Sequence, residues 1–132
     1  MLRDRLAALW TRAEAQRLTD ERARRSATTG SPGPEGSIAK LVTAELNQHV
    51  YEFCMDLLGP EATLYGDYTQ REVTRDEDYR GPVQQRFLRA RANTIEGGTS
   101  EVLRNILGER ILGLPGDLRA DAGKPWKDIP RG

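Results

Sequence analysis

The sequence predicts an all-α protein, an up-and-down antiparallel four-helix bundle. Apolar residues recur at helical spacing in four segments, Gly- and Pro-rich stretches separate these segments, and no segment alternates with the period of a strand. Charged residues make up 30% of the 132 residues and hydrophobic residues 37%. We therefore expect long helices with solvated faces, or helices whose apolar faces are covered by a part of the protein outside this sequence.

The first two predicted helices are long. The first spans Leu2 to about Arg25 without Gly or Pro. Its apolar positions are Leu2, Leu6, Leu9 and Ala13, widened by Trp10 and Leu18. After a connection over residues 27–36 that is rich in Gly and Pro, the second helix begins at Ser37 and ends at Gly59. Its apolar positions are Val42, Leu46, Val50, Phe53 and Leu57.

A polar stretch over residues 61–81 follows, and it shows neither the helical nor the strand period. It contains Tyr65, Tyr68 and Tyr79. A loop of this length is either functional or poorly ordered. The tyrosines are candidates for contact with a ligand or a neighbouring subunit, and the sequence does not decide between these roles.

The last two predicted helices flank a pair of glycines. The third spans about Pro82 to Ile95, and Gly97-Gly98 interrupts it. Thr99 or Ser100 is placed to cap the fourth helix, which ends at Gly113. We expect one helical domain over residues 1–115 and an extended tail over residues 116–132, with Trp126 and Ile129 available to hold part of the tail in place.

Composition argues against several classes of partner. Lys and Arg together number 20, as do Asp and Glu, so no net field attracts nucleic acid or an anionic membrane. No apolar run has the length of a membrane span, and the charged start has no secretory signal pattern. A single cysteine, Cys54, allows no disulfide within the chain. We expect a cytoplasmic protein with no nucleic-acid partner and no membrane span.

The double glycine between the third and fourth helices is the chemically informative feature. Glycines allow the backbone to approach a ligand closely and to adopt conformations closed to other residues. The free N–H groups at the start of the next helix make a natural site for an anion or a carbonyl group. The same residues also suit an ordinary tight turn between helices, and the spacing alone does not exclude that interpretation.

Three motifs resemble the C-terminal domain of the acyl-CoA dehydrogenase family. The segment Ile95–Pro115, IEGGTSEVLRNILGERILGLP, is similar to the family's Gly-Thr-Ser/Asn-Glu step, Arg-Asn-Ile helix and Leu-Gly-Leu-Pro exit. Ser37-Ile38-Ala39-Lys40 is similar to the Ser-x-x-Lys start of its middle bundle helix. Met55-Asp56-Leu57-Leu58-Gly59 is similar to that helix's Gln-x-apolar-Gly-Gly end. The resemblance covers about Leu2 to Pro115.

The resemblance implies a flavin-dependent α,β-dehydrogenation of acyl-CoA thioesters in lipid metabolism, with FAD as cofactor. It implies two sets of cofactor-binding residues. The first, at the end of the middle helix, comprises Asp56, Leu57, Leu58 and Gly59, although Asp56 and Pro60 replace the family's amide and second glycine. The second comprises Gly97, Gly98, Thr99 and Glu101, with Ser100 in the same step.

The resemblance leaves several alternatives for the catalytic base. Many members carry a carboxylate immediately before Gly-Thr to remove the α-proton, while the β-hydride passes to the flavin. Gly97 stands at that position here, and Glu96 lies one residue earlier. A shift of one residue turns a helical side chain by about 100°. Glu96 is the nearest carboxylate and the candidate base, but this rotation turns it away from the expected direction and favours the alternative of a solvated or capping carboxylate. Other members place the base on an earlier helix or leave one subunit without a base.

The family shares its FAD between this bundle, a β-domain and a neighbouring subunit's bundle. We therefore expect a homo- or hetero-oligomer whose first bundle helix is missing here, and no turnover of acyl-CoA by this chain alone. The alternative function is a non-catalytic helical subunit that associates with another dehydrogenase chain. The other candidate residues have ordinary explanations. His49 has no second metal ligand at a suitable spacing, and Cys54 fits a core position. A cationic face of the third helix is either solvated or in contact with a phosphate group. That face comprises Arg86, Arg89 and Arg91.

Overall fold

The computed structural model describes residues 1–27, 34–64, 81–116, 123 and 125–129. Within these residues it contains four α-helices and no strand, which confirms the all-α prediction. The helices are α1 (Leu2–Ala27), α2 (Glu35–Leu58), α3 (Val83–Ala90) and α4 (Ser100–Arg110). None of the described helices is both long enough and apolar enough to cross a bilayer.

Helix α1 packs antiparallel to α2. Near its start, the Arg5 guanidinium donates to the Asp56 carboxylate over 2.5 Å and lies 5.1 Å from the centre of the Phe53 ring. Phe53 is 7% exposed and is the largest buried side chain of the described core. Burying an aromatic ring of this size supplies much of the free energy that holds two helices together.

Helix α2 is the central element, since the other three helices all contact it. It begins at Glu35 beside Pro34, two residues before the predicted Ser37, and it ends where Gly59 adopts a φ of 58°. A positive φ takes the chain out of the helix and is adopted most readily by glycine. A 3₁₀ turn over Gly59–Thr63 follows and buries Ala62.

Helix α3 is shorter than the predicted span of Pro82 to Ile95. It ends at Ala90 and continues as a 3₁₀ turn over Arg91–Thr94. The cause is a tertiary contact, because the Gln48 side-chain amide donates to the Ala90 carbonyl at 3.2 Å and to the Thr94 hydroxyl at 2.9 Å. The Ala90 carbonyl lies at the end of α3, and the Gln48 amide satisfies it in place of a backbone N–H four residues later. The chain that follows can then tighten into a 3₁₀ turn.

Helix α4 also ends earlier than predicted, at Arg110 rather than Gly113. The chain leaves the helix through bonds from the Leu112 amide to the Leu107 carbonyl and from the Leu114 amide to the Gly108 carbonyl. Arg104 pairs with Glu45 of α2. Because the preceding hinge lies beside Lys40, α4 runs parallel to α2 and the four helices follow the predicted up-and-down order.

The described core is small. Its buried apolar side chains are Ala44, Phe53, Ala62, Ala90 and Leu103. Five of the six apolar positions predicted on α1 are exposed, and only Leu9 is half-buried. The exposed positions are Leu2, Leu6, Trp10, Ala13 and Leu18. Helix α1 contacts α2 on one side only, so its opposite apolar side has no partner within the described part of the chain.

The predicted division into a domain and a tail is only partly within the described residues. Beyond Leu114 and Pro115, the structure describes Gly116, Gly123 and residues 125–129, which include a short 3₁₀ turn over Trp126–Asp128. The connection over residues 28–33 and the tyrosines Tyr65, Tyr68 and Tyr79 lie outside the described residues.

Candidate cofactor site

The hinge between α3 and α4 is formed by residues 95–99, and two glycines determine its course. Gly97 has a φ of 63° and Gly98 a φ of 100°, both in the region that disfavours residues with a side chain. Thr99 then returns to extended backbone and caps α4, because its hydroxyl accepts the Val102 amide at 3.2 Å. The prediction that Thr99 or Ser100 caps this helix is confirmed at Thr99.

The first turn of α4 is partly satisfied by its own side chains. The pKa of Glu101 is lowered because its carboxylate accepts its own backbone N–H and a hydrogen bond from Thr99. The amides of Glu101 and Val102 are therefore occupied, which departs from the expectation of a fully open helix terminus. Among the described residues, the amides of Gly97 and Thr99 make no hydrogen bond, whereas the turn over residues 95–97 directs the Gly98 amide towards a carbonyl at the end of the preceding 3₁₀ turn.

Ser100 adds a polar group that has no partner in the described residues. The side chain is 4% exposed and its hydroxyl makes no hydrogen bond there. A buried hydroxyl without a partner is costly, by roughly 1–3 kcal/mol. The hydrogen-bond donors left at the hinge are therefore the Gly97 and Thr99 amides, beside a glycine backbone that carries no side chains.

Glu96 is held by neighbouring side chains. One nitrogen of Arg89 lies 3.0 Å from each of its carboxylate oxygens, and the Asn93 amide donates to one of them at 3.0 Å. The hydrogen bond from Arg89 is the main reason that the pKa of Glu96 is lowered. In this arrangement the carboxylate ties the end of α3 to the turn before the glycines.

Three side chains of α2 that the sequence did not single out as functional hold the hinge and the turn before it from the other side. Lys40 donates to the Gly98 carbonyl at 2.5 Å, and Asn47 donates to the Asn93 side chain at 2.6 Å. Gln48 holds the turn after α3. The signal available in the sequence was the position of Lys40 in the Ser-x-x-Lys motif; nothing marked Asn47 or Gln48.

The first predicted cofactor set lies at the C-terminal end of α2. Asp56 is paired with Arg5, and the neighbouring Leu57 is 55% exposed. Leu58 is also exposed, and Gly59 has open space where a Cβ atom would stand. Pro60 lies in the 3₁₀ turn that follows. This end of the helix thus presents an apolar, accessible edge.

The structure does not bring the two predicted sets together. Lys40, which contacts the hinge, and Asp56 both lie on α2 and are 16 residues apart. At a helical rise of roughly 1.5 Å per residue, this separation is about 24 Å. Gly97, Gly98, Thr99 and Glu101 lie together near the N-terminal end of α2, and residues 56–59 lie at its C-terminal end.

The remaining candidates have local partners. Arg91 donates to Glu52 at 2.9 Å and stacks 4.6 Å from the centre of the Phe87 ring. His49 is exposed, and its Nδ1 lies 2.7 Å from the Glu45 carbonyl oxygen. Cys54 is half-buried and is not in a disulfide. Arg86 is half-buried.

Comparison with known proteins identifies the family to which these features correspond. Residues 1–112 match the model of the acyl-CoA dehydrogenase C-terminal domain. The chain is 30% identical over 119 residues to acyl-CoA dehydrogenase IpdE1 of Mycobacterium tuberculosis, covering 90% of this chain and 28% of that protein. It is 33% identical over 113 residues to acyl-CoA dehydrogenase FadE34 of the same organism, covering 85% of this chain and 14% of that protein.

A third relative gives a similar result. Acyl-CoA dehydrogenase IpdE1 of Mycolicibacterium smegmatis is 30% identical over 119 residues, covering 90% of this chain and 27% of that protein. The chain thus spans little more than a quarter of the length of the IpdE1 relatives. No solved structure matches it.

Proposed function

The chain belongs to the acyl-CoA dehydrogenase family, as its C-terminal helical domain, and on this premise we propose that it forms part of the FAD site of an enzyme that dehydrogenates acyl-CoA thioesters. The observation that supports this most directly is the hinge. Gly97 and Gly98 adopt positive φ angles beside the capped start of α4. Within the described residues, the amides of Gly97 and Thr99 make no hydrogen bond, and the buried Ser100 hydroxyl has no partner.

When bound, FAD supplies the hydride acceptor for such a reaction. This chain's residues supply binding and orientation. The amides of Gly97 and Thr99 are hydrogen-bond donors, and the positive end of the α4 dipole favours an electron-rich group nearby. The glycines keep side chains out of the space through which a planar ring system would approach.

We further propose that the two predicted cofactor sets serve different flavins. Since about 24 Å separates them along α2, the hinge of one chain and residues 56–59 of a neighbouring chain would meet one FAD in an oligomer. Mixed oligomers test this arrangement. One chain carries Gly98→Ala and the other carries Gly59→Val; co-expression should restore part of the flavin content only if each FAD uses the two sets from different chains.

Glu96 stays the predicted base, with a constraint. The hydrogen bonds from Arg89 and Asn93 lower the pKa of its carboxylate and so oppose its protonation, and releasing them would make Glu96 a stronger base. In the assembled enzyme, Glu96→Gln should lower kcat by at least about 100-fold if Glu96 is the base, whereas the exposed control Glu109→Gln should not change it. A kcat within twofold of wild type assigns Glu96 to holding the turn.

Turnover by this chain alone is not expected, because one hinge supplies only a part of the proposed site. The test is anaerobic mixing of the FAD-treated chain with a panel of acyl-CoA thioesters. We expect the flavin absorbance to persist. Bleaching by the isolated chain would show that the described helices contain a complete site.

A second candidate function, association with another dehydrogenase chain, is favoured by the exposed apolar side of α1. Trp10 is 69% exposed and lies on the same side as Leu2 and Leu6. An exposed apolar patch of this kind commonly marks an interaction surface. Size exclusion with and without FAD distinguishes the candidates, since association that is indifferent to flavin, from a preparation without yellow colour, supports the non-catalytic role.

A further inference from the structure

Lys40 contacts the hinge from an element remote in sequence. Its ammonium group donates to the Gly98 carbonyl across 58 residues of chain. A Cβ atom built on Gly97 would lie 3.8 Å from the Lys40 Cε atom, so the aliphatic stem passes beside that residue as well. The lysine charge also contributes to the lowered pKa of Glu96. One side chain thus acts on three consecutive hinge residues.

The bond to the Gly98 carbonyl has a geometric consequence. A peptide unit is planar and trans, so its N–H points opposite to its C=O. Since the Gly98 carbonyl points to Lys40, the Thr99 N–H points away from it. Gly98 alone would not fix this orientation, because glycine tolerates a wide range of backbone angles.

Two other polar residues of α2, Asn47 and Gln48, contact the segment that precedes the hinge. Gln48 bonds to Ala90 and Thr94, and Asn47 bonds to Asn93, so both hold the chain before the glycines. After the glycines, Leu103 packs into the core and Thr99 caps α4. Between these two anchored segments, Lys40 supplies the hydrogen bond that sets the Gly98–Thr99 peptide.

We propose that Lys40 is a positioning residue, which orients the Gly98–Thr99 peptide so that the Thr99 amide is presented to an acceptor of the bound flavin. The orientation of the peptide is a property of this chain, and only the identity of the acceptor rests on the proposed function. Lys40 does not itself contact the flavin in this scheme. Its action passes through the hinge backbone.

Three variants test the first step without any cofactor. Lys40→Met removes the donor and keeps the length of the side chain, while Lys40→Arg keeps a cationic donor. Lys127→Met removes a charge at an exposed position in the short turn after residue 125 and is the matched control. Amide ¹⁵N shifts and hydrogen exchange are measured for the whole chain, together with the carboxyl titration of Glu96.

We expect Lys40→Met to shift the Gly98 and Thr99 amide resonances, to speed exchange of the Leu103 amide by about fivefold and to raise the Glu96 titration midpoint. Lys40→Arg should restore all three, and Lys127→Met should alter none. Unchanged Gly98 and Thr99 resonances in Lys40→Met, or the same changes in Lys127→Met, would overturn the proposal.

The flavin step is measured separately, in the enzyme assembled with its remaining parts. Lys40→Met should raise the FAD dissociation constant by about fivefold, the factor expected when a hydrogen bond is misaligned, and Lys40→Arg should restore it. If the amide resonances respond but FAD affinity does not, Lys40 sets the peptide and the hinge is not a flavin contact. That outcome refutes the proposed acceptor and leaves the positioning of the peptide standing.

Discussion

Gly98→Ala is the most direct test of the hinge geometry. Gly98 has a φ of 100°, where a residue with a Cβ atom pays a conformational penalty of about 1–2 kcal/mol. The new methyl group would lie 3.7 Å from the Leu103 Cδ2 atom, which is ordinary van der Waals contact. The cost therefore comes from the backbone alone, and we expect unfolding in urea to lose that amount, or a Tm lower by roughly 5 °C.

Gly36→Ala is the matched control. Gly36 lies in the first turn of α2, its φ is not positive, and a Cβ atom there would meet nothing within 4 Å. The same change should raise the free energy of unfolding by about 0.5 kcal/mol, since alanine restricts the unfolded chain. Equal effects of the two substitutions, or a Gly98→Ala variant as stable as wild type, would refute the argument from backbone conformation.

Three further predictions concern the core, the acid response and the surface. Phe53→Ala should destabilise the chain by about 3–5 kcal/mol, measured by denaturant unfolding; a loss below about 1 kcal/mol would mean that α1 and α2 are not held by this ring. The pKa of Glu96 is lowered by Arg89, so the Arg89–Glu96 ion pair stabilises the folded state. This stabilisation is complete above the unfolded pKa of about 4.3 and is lost as the pH falls through the lower pKa of the folded state. A carboxyl titration of Glu96 at or above about 4.3 contradicts this. Trp10→Gln should change stability by less than about 0.5 kcal/mol and weaken self-association in sedimentation; unchanged association removes α1 from the interface.

The sequence predicted the helices well because helical periodicity is local information. Leu2 as the start of α1 and Gly59 as the residue that ends α2 follow from neighbouring residues alone. The end of α3 was wrong by several residues, because it depends on Gln48, which lies on another helix. No pattern within residues 82–95 contains that contact.

The candidate site shows the same division. Gly97, Gly98 and Thr99 are consecutive in the sequence, so the hinge and its cap could be predicted from neighbouring residues alone. The bond from Lys40 to the Gly98 carbonyl joins residues 58 positions apart, and periodicity cannot reveal it. The separation of the two cofactor sets was also absent from the motif comparison, because a motif gives residue types without their distance along a rigid helix.

The length of α2 constrains any model of the complete enzyme. A helix of 24 residues holds its two ends about 36 Å apart, and both predicted cofactor sets are attached to it, one directly and one through Lys40. Bending the helix enough to bring them onto the same part of one flavin would break the α1–α2 and α2–α3 contacts that bury Phe53 and Ala90. Because the domain cannot close around a ligand in this way, the proposed FAD site requires surfaces from other chains or domains. The exposed apolar sides of α1 and of the α2 terminus are where this domain can meet them.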